Sequence, residues 1–377
     1  MIVVNLEQLP AGSSPEFPKQ PAYTLYGGAH RYKAETPLKM VQLARQWMKD
    51  YPWLSDTLRR RVEQRLARGL EDFRVDFEDG LGPRSSEDED RLAEAAGESI
   101  PQAEQVARIG IRLKPITREW APRALRTLHL VLRNWKVWPR QFRLTLPKVE
   151  HPDQVRWLIQ HLEPLERDRG TLALELMVES PAGLRNLPNL LQAAGPRCKA
   201  VHFGPFDFLA SCGISQAELH HPVNQQARSE LLMRVAGRGL ELADGPTPQL
   251  PLPPHASPRP QQVSENHQAV RSAWELHRDH VLLSRRLGYP QSWLLHPAQL
   301  ISLYAALIAE CEQQIAPALD RLAAYWAARG APTATAGAFD DRATARLWVR
   351  AVQQAIDLEM VDPEEILLRL PGHWSQV

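Results

Sequence analysis

The chain has 377 residues, enough for one large barrel domain with an appendage or for two ordinary domains. Its composition is 44% hydrophobic and 24% charged. Its formal net charge of +1 gives no excess of positive charge of the kind that binds nucleic acid or an anionic membrane. We therefore expect a globular protein with a small-molecule partner, and neither a nucleic-acid nor a membrane partner.

Eight short runs of apolar or β-branched residues recur along the chain and predict strands. They lie at 22–26, 73–78, 107–113, 142–149, 172–179, 200–206, 240–244 and 292–296. Segments with helical periodicity separate or follow them, at 38–49, 57–70, 87–97, 119–134, 152–165, 183–194, 224–237, 265–287 and 298–314. Strands that alternate with helices indicate an α/β fold with a parallel sheet, and eight such units favour a closed (β/α)₈ TIM barrel. No G-x-G-x-x-G or P-loop sequence follows a strand, which weakens the case for an open nucleotide-binding sheet.

The chain is expected to divide into three parts. Residues 1–21 form an N-terminal extension, 22–315 the barrel, and 316–377 a C-terminal helical appendage. The connection after the first strand is long and helical. Residues 245–262 hold seven prolines and predict a semi-rigid rim or lid loop.

The cysteines and the N-terminus bear on location. Cys198, Cys212 and Cys311 form no C-x-x-C pair, so neither a disulfide framework nor a thiolate zinc site is expected. No apolar stretch reaches the roughly 18 residues that cross a bilayer, and residues 1–9 lack the basic start of a signal peptide. We expect a cytoplasmic protein.

Ionisable residues stand at or just after the ends of seven predicted strands, where a (β/α)₈ barrel builds its site. They are Asp76, Glu78, Asp79, Arg112, Lys114, Lys148, Glu150, Glu179, Asp207, Asp244 and His296. We expect this set to converge on one face of the barrel. Two carboxylates from neighbouring strands, Glu179 and Asp207, suit Mg²⁺ or Mn²⁺ better than zinc. Arg112 offers a planar fork for a substrate carboxylate and positive charge for a developing enolate.

Six segments in chain order resemble the block motifs of the citrate lyase β-subunit/HpcH-HpaI aldolase superfamily. They are VDFEDG at 75–80, IRL at 111–113, LPKVE at 146–150, ELMVESPAG at 175–183, FGPFD at 203–207 and GYPQSWLLHPAQ at 288–299. The first run with its loop, YTLYGGAHR, stands where the family has its first strand and substrate-facing loop. The resemblance covers roughly residues 22–310.

This resemblance implies a site for Mg²⁺ on Glu179 and Asp207, with Arg112 binding the substrate and Asp76 and Glu78 as polar residues around it. We group the expected site residues by role. Arg112, Glu78, Asp76 and His30 are the candidate catalytic residues, and Arg112, Gly27, Gly28, Pro205 and Lys148 the candidate substrate-binding residues.

The activity implied by the resemblance is that of a carbon–carbon lyase or aldolase. It would act on a β-hydroxy acid or its CoA thioester, through a metal-chelated 2-oxo acid enolate, in a homo-oligomer. A malate-synthase-like condensation, thioester hydrolysis and a barrel that binds a metabolite without turnover are the alternatives. Lys114, Pro115, Ser292 and Trp293 depart from the family pattern, and these departures bear on the acyl-thioester more than on the metal.

Simpler interpretations stay open for single residues. Asp76, Glu78 and Asp79 begin an acidic stretch of the kind that is often a solvated face. His30 could be a surface-loop histidine. Lys148 and His296 could support the barrel interior, where His202 is expected as a core residue. Asp340 and Asp341 are expected to cap a helix predicted from about 341 to 358, or to reach a neighbouring subunit's site.

Overall fold

A computed structural model describes residues 18–370 of the protein, except 140, 167–169, 217, 329 and 336–337. Of the predicted N-terminal extension, residues 1–17 lie outside the described residues, as do residues 371–377 of the appendage. All eight predicted barrel strands are present, and they form the closed parallel barrel β1-β2-β3-β4-β5-β6-β7-β8. Their bounds are β1 Tyr23–Gly28, β2 Leu70–Asp76, β3 Val106–Arg112, β4 Arg143–Leu146, β5 Ala173–Val178, β6 Cys198–Phe203, β7 Glu241–Asp244 and β8 Gln291–Leu294.

The barrel closes because β8 pairs with β1 in parallel, with Tyr23 opposite Ser292. The predicted TIM-barrel fold is therefore confirmed. Twelve α-helices lie among the described residues: α1 Thr36–Asp50, α2 Asp56–Leu66, α3 Ser86–Ser99, α4 Ala121–Leu132, α5 Pro152–Glu166, α6 Pro181–Ala194, α7 Pro205–Ser211, α8 Pro222–Val235, α9 Pro260–Arg286, α10 Gln299–Ala327, α11 Arg342–Asp357 and α12 Pro363–Arg369.

Local sequence sets the start of several helices. The side chains of Ser55, Ser85 and Ser180 accept backbone N–H bonds at the first turns of α2, α3 and α6. Each serine satisfies a donor that the helix itself leaves free. The long first connection predicted from the sequence is the pair α1 and α2.

Several predicted strands end a few residues earlier than expected, and the sixth has a consequence for the site. The strand predicted at 200–206 ends at Phe203, and Pro205 opens the short helix α7, which the sequence analysis missed. A proline at the first helical position has its φ preset and no N–H to satisfy, so the chain turns into a helix there. As a result, Asp207 lies in the first turn of α7 and not at a strand end.

The barrel interior contains a buried ionic layer below the mouth. Arg74 donates to Glu175 at 3.0 Å from Nε and to Asp72 at 3.1 Å from Nη2. Arg108 donates to Glu241 at 2.9 Å. His202 is a core residue, as expected, and its Nδ1 accepts a bond from Trp293 Nε1 at 3.0 Å. Each of these charges is offset by an opposite charge within the barrel.

The C-terminal part contains a second, small apolar core. Its buried members are Ala318, Leu319, Leu322, Tyr325, Ala345, Val352, Ile366 and Leu370. The predicted boundary after residue 315 stays a prediction, and α10 runs through that position without a break. Within and just after the predicted turn-rich stretch, β9 Thr333–Thr335 pairs antiparallel with β10 Ala338–Asp340. Asp341 caps α11, as expected, while Asp340 pairs with Arg321.

Among the described residues, no helix combines the length and the apolarity that a membrane crossing requires.

Candidate metal and substrate site

A cavity of about 650 Å³ opens at the carboxyl-terminal end of the barrel strands. Loops after β1, β2, β5, β6, β7 and β8 line it together with helix α1 and the end of β3. The lining includes eight of the predicted site residues, namely Gly27, Gly28, His30, Asp76, Arg112, Glu179, Pro205 and Asp207. The strand-end set therefore converges on one face, but only in part.

Asp76, at the end of β2, is fully engaged by its own surroundings. Its Oδ1 accepts a bond from Arg112 Nε at 2.8 Å and one from the Glu78 backbone at 2.9 Å. Its Oδ2 accepts from the Gly80 backbone at 2.9 Å and from Arg112 Nη2. With four donors on two oxygens, this carboxylate orients Arg112 and shapes the loop after β2.

Arg112 carries a permanent charge into the wall of the cavity. Its Nη1 lies 3.0 Å from Glu78 Oε2, and its guanidinium lies 5.1 Å from the centroid of the Tyr26 ring. Burial lowers the pKa of Arg112, but Asp76 and Glu78 more than compensate, so its pKa is raised above the ordinary value. The side chain is held in one geometry, which suits it to bind an anionic group.

Lys148 links the acids from β2 and α7. Its Nζ lies 2.6 Å from Glu78 Oε1 and 3.7 Å from Asp207 Oδ1. Burial opposes its charge, but the bond to Glu78 and the nearby acids raise its pKa. Lys148 also has a left-handed φ of +52°, a conformation that non-glycine residues adopt at a cost. The surrounding structure therefore directs this ammonium group toward the acids.

Glu179 differs from its neighbours because no cation pairs with it directly. It follows β5, is 3% exposed, and its Oε1 has no hydrogen-bond partner. Burial first, and then the charges of Glu78 and Asp207, raise its pKa to about 8. A Cβ at Gly204 would lie 2.5 Å from the Glu179 Cγ, so this glycine permits the close approach of the loop after β6.

Asp207 completes a pair of carboxylates with unequal exposure, since its side chain is 49% exposed on the rim. Ser211 Oγ donates to the carbonyl of Asp207 at 2.8 Å and lies 3.4 Å from the carbonyl of Glu179. This hydroxyl ties α7 to the end of β5. The two acids line the same cavity.

The donor set fits a hard divalent cation. Among the described residues, no group of three or more His, Cys, Asp or Glu side chains is arranged to hold a metal ion. Mg²⁺ needs no such cage, because it keeps several waters and takes one or two carboxylates. The buried, unpartnered oxygen of Glu179 is a position where a small cation would offset an unfavourable charge. Zinc, which favours nitrogen and sulfur ligands, has no comparable set among these residues.

The glycines and the histidine after β1 form one edge of the cavity. A Cβ at Gly28 would lie 2.1 Å from the carbonyl of Gly80, so only glycine lets the loops after β1 and β2 approach this closely. The exposed His30 lies over Gly28. Burial, Arg31 and Arg84 lower its pKa, so the ring is neutral near pH 7.

Asp244 was wrongly expected in the convergent set. Its carboxylate accepts bonds from Arg228 on α8 at 2.9 and 3.0 Å and from Ser284 on α9. Side chains alternate along a strand, and Glu241 and Ala243 of β7 face the barrel interior, so Asp244 faces the helices. Glu150 is likewise directed away, to Ser180, and Lys114 contacts Glu89.

Several lining residues were missed by the sequence analysis. Tyr26 precedes Gly28 by two positions in β1, and Trp293 lies in β8. Thr36, Met40 and Leu43 follow each other at spacings of four and three residues on α1. That spacing marks one helix face, but nothing in it tells which part of the barrel the face meets.

Solved structures with the same fold are found among citrate lyase and malate synthase proteins. A citrate lyase from Burkholderia xenovorans LB400 is 20% identical, covers 94% of this chain and 97% of its own, and has a TM-score of 0.64. CitE from Mycobacterium tuberculosis, solved with magnesium, acetoacetate and coenzyme A, is 16% identical over 89% and 98%, with a TM-score of 0.58. Malate synthase from Haloferax volcanii, solved with magnesium and glyoxylate, is 14% identical over 94% and 97%, with a TM-score of 0.53.

The resemblance inferred from the motifs is confirmed at the level of the fold, since these neighbours include citrate lyase proteins. No curated protein matches the chain by sequence. A family described as a domain of unknown function, DUF6986, matches residues 5–376. The chain is therefore a member of the DUF6986 family, built on a barrel like that of citrate lyase.

Proposed function

We propose that this protein is a Mg²⁺-dependent carbon–carbon lyase or aldolase acting on a β-hydroxy acid or its thioester. One observation carries the proposal. The buried, unpartnered carboxylate of Glu179 lies in the same cavity as Asp207 and the fixed guanidinium of Arg112. A barrel that only stored a metabolite would have no need of an uncompensated buried acid, which costs stability.

Glu179 and Asp207 would hold the cation, with Lys148 limiting the negative charge around them. When bound, Mg²⁺ supplies Lewis-acid stabilisation to a carbonyl and a carboxylate oxygen of the substrate. CitE was solved with magnesium and acetoacetate, and malate synthase with magnesium and glyoxylate, which supports this choice of metal and of an oxo acid as the substrate class.

Arg112 would bind the anionic end of the substrate and stabilise the enolate that develops when the carbon–carbon bond breaks. Its orientation by Asp76 means that it does not have to reorganise during the reaction. In this proposal Asp76 is a positioning residue, and Gly27, Gly28 and Pro205 form the cavity wall against which the substrate lies.

A base must take the proton of the β-hydroxyl group in the cleavage direction. His30 is neutral near pH 7 and borders the cavity, so one of its ring nitrogens can accept that proton. Glu78 is a weaker candidate because Arg112 and Lys148 already engage its two oxygens. We propose His30 for this role.

A second cavity favours one alternative, a condensation or hydrolysis with an acyl-thioester. It has about 580 Å³, shares Glu179 and Asp207 with the first cavity, and extends toward Thr117 and Trp120. A long thioester could reach the acids from this side while an oxo acid occupies the other.

The test uses the variants Glu179→Gln and Asp207→Asn, with Asp56→Asn as the matched control, because Asp56 is an exposed acid at the start of α2 that lines neither cavity. Mg²⁺-dependent turnover of oxaloacetate, of β-hydroxy acids and of a thioester panel is measured together with Mg²⁺ binding by calorimetry. We expect both site variants to lose at least about 100-fold in activity, the scale of losing one major electrostatic contact, with weakened Mg²⁺ binding. The control variant, once shown to be folded, should keep both its activity and its Mg²⁺ binding. Full activity in both site variants would contradict the proposal, and Mg²⁺ binding without any turnover would favour the non-catalytic barrel.

A further inference from the structure

The main cavity has an apolar side that the proposed chemistry does not use. Met40 and Leu43 of α1 line it, with Thr36 on the same helix face. Pro246 follows β7, and Leu295 and Pro297 follow β8, and all three line the cavity too. Leu295 is 42% exposed, so a large apolar side chain is left open to solvent here.

Strand order places this apolar side away from the acids. In the closed barrel, β7, β8 and β1 are consecutive neighbours. The loops after β7 and β8, with α1, supply the apolar residues, while the loop after β1 also brings Arg31 to the lining. Arg112, Glu179 and Asp207 come from β3 and from the loops after β5 and β6. The cavity therefore has a charged end and an apolar end.

Direct contacts hold the apolar wall in place. Trp47 Nε1 donates to the carbonyl of Pro251, in the proline-rich loop, at 2.8 Å. The Trp47 ring also lies 5.6 Å from the ring of His296. Burial lowers the pKa of His296 to about 4, so this histidine brings no positive charge near pH 7. Helix α1 is thus fixed against the loops after β7 and β8, and the wall between them is uncharged.

The volume exceeds what a small oxo acid needs. Pyruvate has six non-hydrogen atoms, and at about 30 Å³ each, the liquid share of one water, it would occupy roughly 180 Å³. The cavity of about 650 Å³ leaves more than twice that space for the metal, its waters and a further group. An apolar surface next to this space gains free energy when an apolar group covers it.

We propose that the substrate carries an aliphatic or aromatic group beyond its scissile bond, and that Met40 and Leu43 select for it. This inference rests on the proposed function. In the cleavage direction, the substrate is a 2-oxo acid whose hydroxyl group lies β to the oxo group, and the bond that breaks joins the hydroxyl-bearing carbon to the carbon next to the oxo group. The bonding pair stays with the oxo acid fragment, which then takes up a proton. The hydroxyl group loses its proton and becomes the carbonyl of an aldehyde that carries the apolar group.

Two unreactive ligands test the selection by Met40 and Leu43. 2-Oxo-4-phenylbutanoate and 2-oxobutanoate share the oxo acid, lack the hydroxyl group and differ only in the phenyl ring. Their dissociation constants are measured by calorimetry with Mg²⁺ present. We expect the phenyl compound to bind at least about 10-fold more tightly, since a buried ring contributes more than the 1.4 kcal/mol that a factor of ten represents.

The double variant M40A/L43A is compared with L38A, which alters a leucine on the same helix that is 39% exposed and does not line the cavity. We expect M40A/L43A to lose about 10-fold of the phenyl preference while binding 2-oxobutanoate as before, and L38A to keep both affinities. Unchanged 2-oxobutanoate binding also shows that the variant is folded.

Four outcomes would overturn the inference. If the intact protein binds the two ligands with equal affinity, Met40 and Leu43 do not select for the phenyl group. The same conclusion follows if M40A/L43A loses affinity for both ligands to the same extent. If the intact protein shows no phenyl preference and M40A/L43A binds butyryl-CoA more weakly, the apolar wall binds the acyl chain of a thioester instead. Failure of both oxo acids to bind with Mg²⁺ would instead contradict the proposed function, and this inference with it.

Discussion

Glu175 lies within β5 and Glu179 directly follows it, four residues later, and both are buried, yet their surroundings differ. Glu175 belongs to the ionic layer inside the barrel, where Arg74 outweighs the effect of burial and lowers its pKa. Glu179 lies at the mouth, where burial and two neighbouring acids raise its pKa to about 8. Two glutamates that look equivalent in sequence therefore have opposite electrostatic roles. A buried acid with a cation partner supports the barrel, whereas one without such a partner is available to a ligand.

The largest effect on stability is expected for a substitution in the ionic layer. Arg74→Met should lower the free energy of unfolding by about 3–5 kcal/mol, because it leaves the carboxylates of Asp72 and Glu175 buried without their cation. Guanidinium chloride unfolding measures this loss. Arg59→Met, which breaks an exposed pair with Asp56, is the control and should change stability by less than about 1 kcal/mol. An unchanged unfolding midpoint in Arg74→Met would contradict the view that the paired acids of the ionic layer stabilise the barrel and differ in this from Glu179 at the mouth.

The second prediction concerns Glu179 in metal-free protein. Its folded pKa of about 8 lies above the ordinary value of 4.5, so between these pH values the folded state retains a proton that the unfolded state has lost. Stability should therefore fall as pH rises from about 5 to 8, by a few kcal/mol in total, and level off above. Unfolding at several pH values in EDTA measures the slope.

In that measurement, Glu179→Gln should lack this part of the pH dependence, since an amide does not titrate in this range. Glu150→Gln serves as the control, because Glu150 is an exposed acid near the mouth that does not line the main cavity. The same slope in the intact protein and in Glu179→Gln would show that Glu179 is not the titrating group.

The smallest effect on stability is expected for a substitution at the edge of the barrel mouth. Trp47→Phe keeps most of the ring but removes the bond to the carbonyl of Pro251, and should cost about 1 kcal/mol of stability. Thermal unfolding measures this change. Trp157→Phe, in a half-buried indole on α5 outside the cavity, is the control. A loss in Trp47→Phe that matched the loss expected for Arg74→Met would mean that the wall, and not the ionic layer, limits stability.

The sequence alone was sufficient to predict the barrel. Eight apolar runs alternating with helical segments predicted the barrel, since each unit must bury one face of a strand and one of a helix. The motifs at the strand ends also predicted that Glu179, Asp207 and Arg112 would share one face, because parallel strands bring their carboxyl ends together. Helix starts such as Ser180 followed from local capping.

Only the tertiary structure decided which of these charges are paired. Asp244 looked like a mouth residue but contacts Arg228, because alternation along a strand fixes which residues share a face and not which face is inside. Likewise, Trp47 and Pro251 are far apart in sequence, so no local pattern predicts that α1 closes one side of the cavity. The chain specifies its strands through local periodicity, whereas the ionic partners and the apolar wall depend on contacts between distant segments.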